Sequence, residues 1–150
     1  MPTERSDVFS RVKSIEREHD AVRFATHRLL FIVQNDPTQL DNIIEIRDLR
    51  TASDKLEATY FVRLFAEFEA ALRNFWQTTR KKDPPSRTRD LLDGIGAREK
   101  IPNDVREDAH KVREFRNSLV HEGENELKRL DLRTARKYLL IFLGRLPPNW

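Results

Sequence analysis

Apolar positions recur along this chain in steps of three and four almost from end to end. Val8, Val12, Ile15, His19, Val22, Thr26, Leu29 and Val33 trace one such seam, which predicts a helix over residues 7–34 packed in a bundle. Asn35-Asp36-Pro37 interrupts it. Asp36, with Pro37 next and Gln39 three residues on, reads as an N-cap, a first-turn proline and a capping box, so a shorter helix is expected over 37–49. Leu56, Phe61, Leu64, Phe65, Phe68, Leu72, Phe75 and Trp76 then form an apolar face too wide for a single neighbour. That third helix, ending at Arg80, is predicted to be the core of the protein.

Beyond a proline-broken loop, a short helix is expected over 89–97, interrupted by Gly94 and Gly96. A fourth long helix is expected over 102–121, with Gly123 as its C-terminal stop. Asp131 can cap the last helix, which should bury Ala135, Leu139, Phe142, Leu143 and Leu146 before Pro147-Pro148. No strand pattern competes. The prediction is an all-α protein: an up-down bundle of four long helices plus one or two short ones.

Composition narrows the setting. The 150 residues suit a single domain, 1–150. The longest apolar run, 139–143, is far too short for a bilayer, and the charged N-terminus lacks a secretory pattern. Cysteine is absent, which excludes disulfides and thiolate zinc sites. The expectation is a cytoplasmic protein with no membrane partner and no cofactor. A net charge of +3 within 35% charged residues does not by itself call for nucleic acid. Arginine outnumbers lysine; that suits bidentate phosphate contacts but is equally explained by lineage preference.

The chemistry concentrates at the end of the fourth helix. Arg116 and His121 pair a group that clamps phosphate with one that moves protons near neutral pH, enough to cut a phosphodiester without a metal. At about 100° per residue, Val105, Ala109, Val112, Phe115 and Leu119 gather on one face, and Arg116 falls inside that arc. A charge there must be paired, reach water or lie in an interface groove. Glu69 is the expected partner if the pairing is internal. Asn117 and His121 share a stripe with Arg106, His110 and Arg113, rich in groups able to touch phosphate. On an ideal helix Arg116 and His121 stand about 140° and ~7.5 Å apart. Either the helix unwinds before Gly123, or the same helix of a second copy completes the site. The dimer is favoured, with some unwinding as well.

The run Arg116-Asn117-Ser118-Leu119-Val120-His121 resembles the R-x4-6-H signature of HEPN (higher eukaryotes and prokaryotes nucleotide-binding) domains, in which a polar residue, often Asn, follows the arginine. The order of the 60–76 helix, the 112–122 segment and a terminal helix ending in Leu-Pro-Pro extends the resemblance over most of the chain from about residue 50. It implies a helical bundle that dimerises with the Arg116–His121 helices facing each other. It also implies a metal-independent endoribonuclease of toxin–antitoxin or other defence systems, acting on RNA with an antitoxin or inhibitor protein as a further partner. His121 would be general acid or base, Arg116 would stabilise transition-state charge, and Asn117 would orient His121 or the phosphate. Toxins of the family silenced by a nucleotidyltransferase often carry Tyr two residues after the histidine; here that position is Gly123. The alternative is a non-catalytic HEPN module binding RNA, nucleotide or protein; a third reading is a helical dimerisation domain with no ligand.

Other clusters are less specific. Arg80, Lys81 and Lys82, with Arg87 and Arg89, could bind RNA backbone beyond the cut site or simply be a solvated loop. His110 and Arg113 are the nearest candidates for further RNA contacts. Glu16-x-x-His19 and Glu107-x-x-His110 superficially copy di-iron ligands, but Glu107 and His110 point away from their apolar face. No metal site is expected; His19 reads as a core or interface histidine, His27 and His110 as surface residues. Arg116 could also be an ordinary ion-pair member and His121 an ordinary helix-end residue.

Overall fold

The computed structural model describes residues 1–121 and 129–150. Five α-helices carry the fold: α1 (Arg5–Asn35), α2 (Ile46–Arg80), α3 (Thr88–Arg98), α4 (Asn103–Val120) and α5 (Leu132–Leu143). Among the described residues there is no strand beyond an isolated bridge, Glu4 to Asn149, so the protein is all-α. None of these helices is long and apolar enough to cross a membrane.

The expected second helix is replaced by two features. Asp36 does cap, accepting from the Thr38 N–H at 3.2 Å and from the Gln39 side chain at 2.9 Å. What it caps is one 3-10 turn, Pro37–Leu40, closed by Asp41 and Asn42 at φ 50° and 56°. Short side chains that bond locally tolerate that left-handed region, and two in succession end the turn. Residues 41–45 are non-helical, and only 46–49 of the expected helix belong to α2, which runs unbroken through residues 46–80.

Side-chain pairs fix the helix directions. Arg11 meets Glu67 and Glu18 meets Arg63, so α1 and α2 are antiparallel. Glu16 meets Arg136 while Arg5 donates to the carbonyls of Gly144 and Leu146, so α5 runs antiparallel to α1. Phe61 stacks edge-on with Phe115 at 4.9 Å and Phe68 with Phe142 at 5.6 Å, bringing α4 and α5 onto α2. The core is therefore centred on α2: Phe61, Leu64, Phe65, Phe68, Leu72 and Phe75 are buried, as its wide apolar face predicts. Truncating any of the four phenylalanines to Ala should cost about 3–5 kcal/mol.

α3 passes through both of its glycines without interruption. The reason is proximity. A Cβ at Gly94 would stand 2.8 Å from the Trp76 ring, and one at Gly96 would stand 2.7 Å from the Arg106 side chain. Glycine there lets α3 lie against α2 and α4 at the cost of weaker intrinsic helicity.

α5 starts where two caps converge. Asp131 accepts from the Thr134 N–H at 2.6 Å, and Glu57 of α2 accepts from the Leu132 N–H at 3.0 Å. Its predicted inward residues, Ala135, Leu139, Phe142, Leu143 and Leu146, are all buried. Trp150 follows them into the core, packed edge-on to Phe75 and bonded to Asn74.

Candidate functional site

α4 ends at Val120, and His121 takes an extended conformation with φ −105° and ψ 110°. The helix thus releases its chain one residue before the end expected from the sequence. Gly123, the expected stop, lies outside the described residues. His121 is exposed at this end, held by its backbone N–H to the Asn117 carbonyl at 2.9 Å. The Asn117 side chain faces the other way and accepts from Arg116 Nη1 at 3.2 Å. One residue therefore touches both others, through its amide oxygen and through its main chain.

Arg116 lies within the apolar arc as its angle requires, and α2 receives it. Its guanidinium carbon stands 5.8 Å from the centre of the Phe65 ring, close enough for a cation–π attraction. Nε is buried and has no hydrogen-bond partner among the described residues. The expected partner Glu69 does not serve. It receives Arg73 in a forked contact at 2.7 and 3.0 Å, one turn along its own helix, where the i, i+4 geometry is ready-made. Arg73 in turn holds the Pro85 and Ser86 carbonyls, so Glu69 anchors the proline loop and not the motif helix.

His110 and Arg113 form a chain with a partner from α3. His110 Nε2 lies 2.8 Å from Asp93 Oδ1, and His110 Nδ1 accepts from Arg113 Nε at 3.2 Å. With the ring neutral, that arrangement puts its proton on Nε2. His110 is half-buried, contrary to the expectation of a surface residue. Burial, the largest influence on Asp93, opposes ionisation. The hydrogen bond and charge of His110 together with Arg106 outweigh it, so the carboxyl titrates below its ordinary range. Sequence reading missed Asp93 because it is on another helix, and no local spacing links it to His110.

The basic loop is elsewhere. Arg80 stacks over the Trp76 ring at 3.9 Å, Lys81 caps α2 at φ 51°, and Lys82 is exposed. Arg80 is fifteen residues beyond Phe65 on a continuous helix, roughly 22 Å along its axis. The structure therefore joins the Arg116 and Asn117 side chains, ties His121 to them through the main chain alone, places Arg113 and His110 one and two turns behind, and leaves Arg80, Lys81 and Lys82 at the far end of α2.

His19 is buried on its seam, stacked on Tyr60 at 5.5 Å with Nδ1 3.6 Å from Asp20. Among the described residues no three His, Cys, Asp or Glu gather closely enough to hold a metal ion. Comparison of the chain with protein-family models, with curated proteins and with solved structures finds no match.

Proposed function

We propose that this protein is a metal-independent endoribonuclease of HEPN type, with a HEPN-like bundle, working as a homodimer through its Arg116–His121 helices. The observation that carries the reading is the junction at Asn117. The Asn117 amide holds the Arg116 guanidinium next to a helix end where His121 is exposed, and Arg116 Nε has no partner among the described residues. A phosphate oxygen is the acceptor to which a guanidinium N–H donates best.

The reaction follows from these groups. The ribose 2′-hydroxyl gives its proton to a His121 imidazole as its oxygen bonds to the adjacent phosphorus, and only RNA supplies that hydroxyl. Arg116 stabilises the extra negative charge on the five-coordinate phosphorus. The bond from phosphorus to the 5′ oxygen then breaks, and that oxygen takes a proton from the second His121 of the dimer. The products are a 2′,3′-cyclic phosphate and a free 5′-hydroxyl. Asn117 holds the guanidinium in line. Nuclease toxins and defence proteins use this chemistry, with an inhibitor protein to restrain it.

The test is incubation of purified protein with mixed cellular RNA in EDTA, beside His121→Ala. Wild type should leave cyclic phosphate ends, and the variant should lose at least 100-fold in rate, the lower range for removing a general acid–base group. A folded wild type that leaves every RNA class intact would instead favour a non-catalytic RNA-binding module.

A further inference from the structure

α1 outruns the body of the bundle. The described part of α5 begins opposite Glu16 and Glu57, and within residues 21–35 of α1 Val33 alone is buried. One side of this arm, holding Val33, faces α2. About 160–180° away, Phe24 and Phe31 stand 70% and 68% exposed. They share a groove of ≈ 450 Å³ with Asp20, Arg23, His27 and Arg28. Neither arginine forms an ion pair with a described residue.

We propose that this face of α1 binds single-stranded RNA, with bases stacked on Phe24 and Phe31 and phosphates held by Arg23 and Arg28. The two rings are seven residues apart, so they share one line along the helix with ~10.5 Å between them. That is too far for the rings to cover each other, and basic side chains fill the interval. A stacking platform needs this alternation of flat apolar faces and positive charge, and single strands bind such platforms whatever their sequence. Two arginines against one carboxylate also favour a polyanion over a second apolar helix, which would have to bury those guanidiniums.

Position supports the assignment. Asp20 and Arg23 also border a second cavity with Glu57, Asp131 and Arg133, at the foot of α5. A third groove, lined by Asp54, Phe61 and Leu119, opens at the same level of α2, two residues before His121. The arm and the motif helix therefore serve the same end of the bundle. This inference rests on the ribonuclease reading only in naming RNA as the natural ligand.

The probe is a labelled 12-nucleotide oligouridine bearing 2′-fluoro groups, which lacks the attacking hydroxyl and so reports binding whether or not the protein cleaves. Fluorescence anisotropy should show Phe24→Ala and Phe31→Ala each weakening binding about 5-fold or more. Arg23→Gln and Arg28→Gln should each flatten the log affinity against log salt by about 0.7. All four side chains are surface residues, and circular dichroism checks that the variants fold. The proposal is overturned if wild type fails to bind, or if the phenylalanine variants bind like wild type. It is equally overturned if sedimentation shows those variants dissociating a dimer, which would make the face a self-contact. Binding without cleavage would sink the enzyme and leave this site standing.

Discussion

A guanidinium resting against an aromatic ring and an amide keeps its positive charge available, because neither neighbour neutralises it. Arg116 is in that position between Phe65 and Asn117. A carboxylate partner would have made it a structural ion pair, and the expected one, Glu69, is taken by Arg73. Asp93 is the contrasting case: its charge is spent on His110 and Arg106. Because its carboxyl titrates below the ordinary value, ionised Asp93 stabilises the fold above about pH 4, and that contribution disappears as pH falls through the folded-state value. Asp93→Asn should therefore lower the urea midpoint at pH 7, and the gap from wild type should close as the medium is acidified below pH ~4. A gap that persists at low pH would mean the amide disturbs packing and not charge.

α3 shows how a short helix is positioned by what it lacks. Gly94 and Gly96 look like breaks when the chain is read locally, yet both are helical because Trp76 and Arg106 occupy the space their side chains would need. Gly94→Ala raises helix propensity by about 1 kcal/mol but drives a methyl into a rigid indole. We expect the second effect to win, with a net loss of about 1–2 kcal/mol in thermal or urea unfolding. Gly96→Ala meets only the flexible stem of Arg106 and should cost less. A stabilised Gly94→Ala would show that α3 can slide on α2. At the other end of the molecule, Asp131 and Glu57 together satisfy two N–H groups of α5, one cap legible in the sequence and one supplied across the fold.

The whole molecule divides into a dense body and a slender arm. Phe61, Leu64, Phe65, Phe68, Leu72 and Phe75 of α2 are buried, whereas none of its first ten residues is. Ile43, at 81% exposed, and Phe31 mark how little the tip buries. Few buried contacts should let the arm open without unfolding the body. Native-state hydrogen exchange should find amides of 21–35 and 46–55 exchanging at least tenfold faster than those of 61–76. Added oligonucleotide should slow exchange in 21–35 if the arm is where RNA binds. Uniform protection along α2 would contradict the division.

The sequence alone determined the long helices and most of their buried faces, because helical periodicity is a local property. Val8, Val12, Ile15 and His19 are buried where the α1 seam puts them, whereas Val22 is left largely exposed by the arm. Tertiary structure decided what lies between elements. It joined 46–49 to α2, since a helix boundary depends on neighbours as well as caps. It assigned Arg116 to Phe65 and Glu69 to Arg73, since partners at similar reach compete and the nearer geometry wins. It separated the Arg80–Lys82 loop from His121 by the length of a helix, a distance that composition cannot express. It also placed Phe24 and Phe31 in solvent, because only the packed arrangement shows which side of a helix no other element covers.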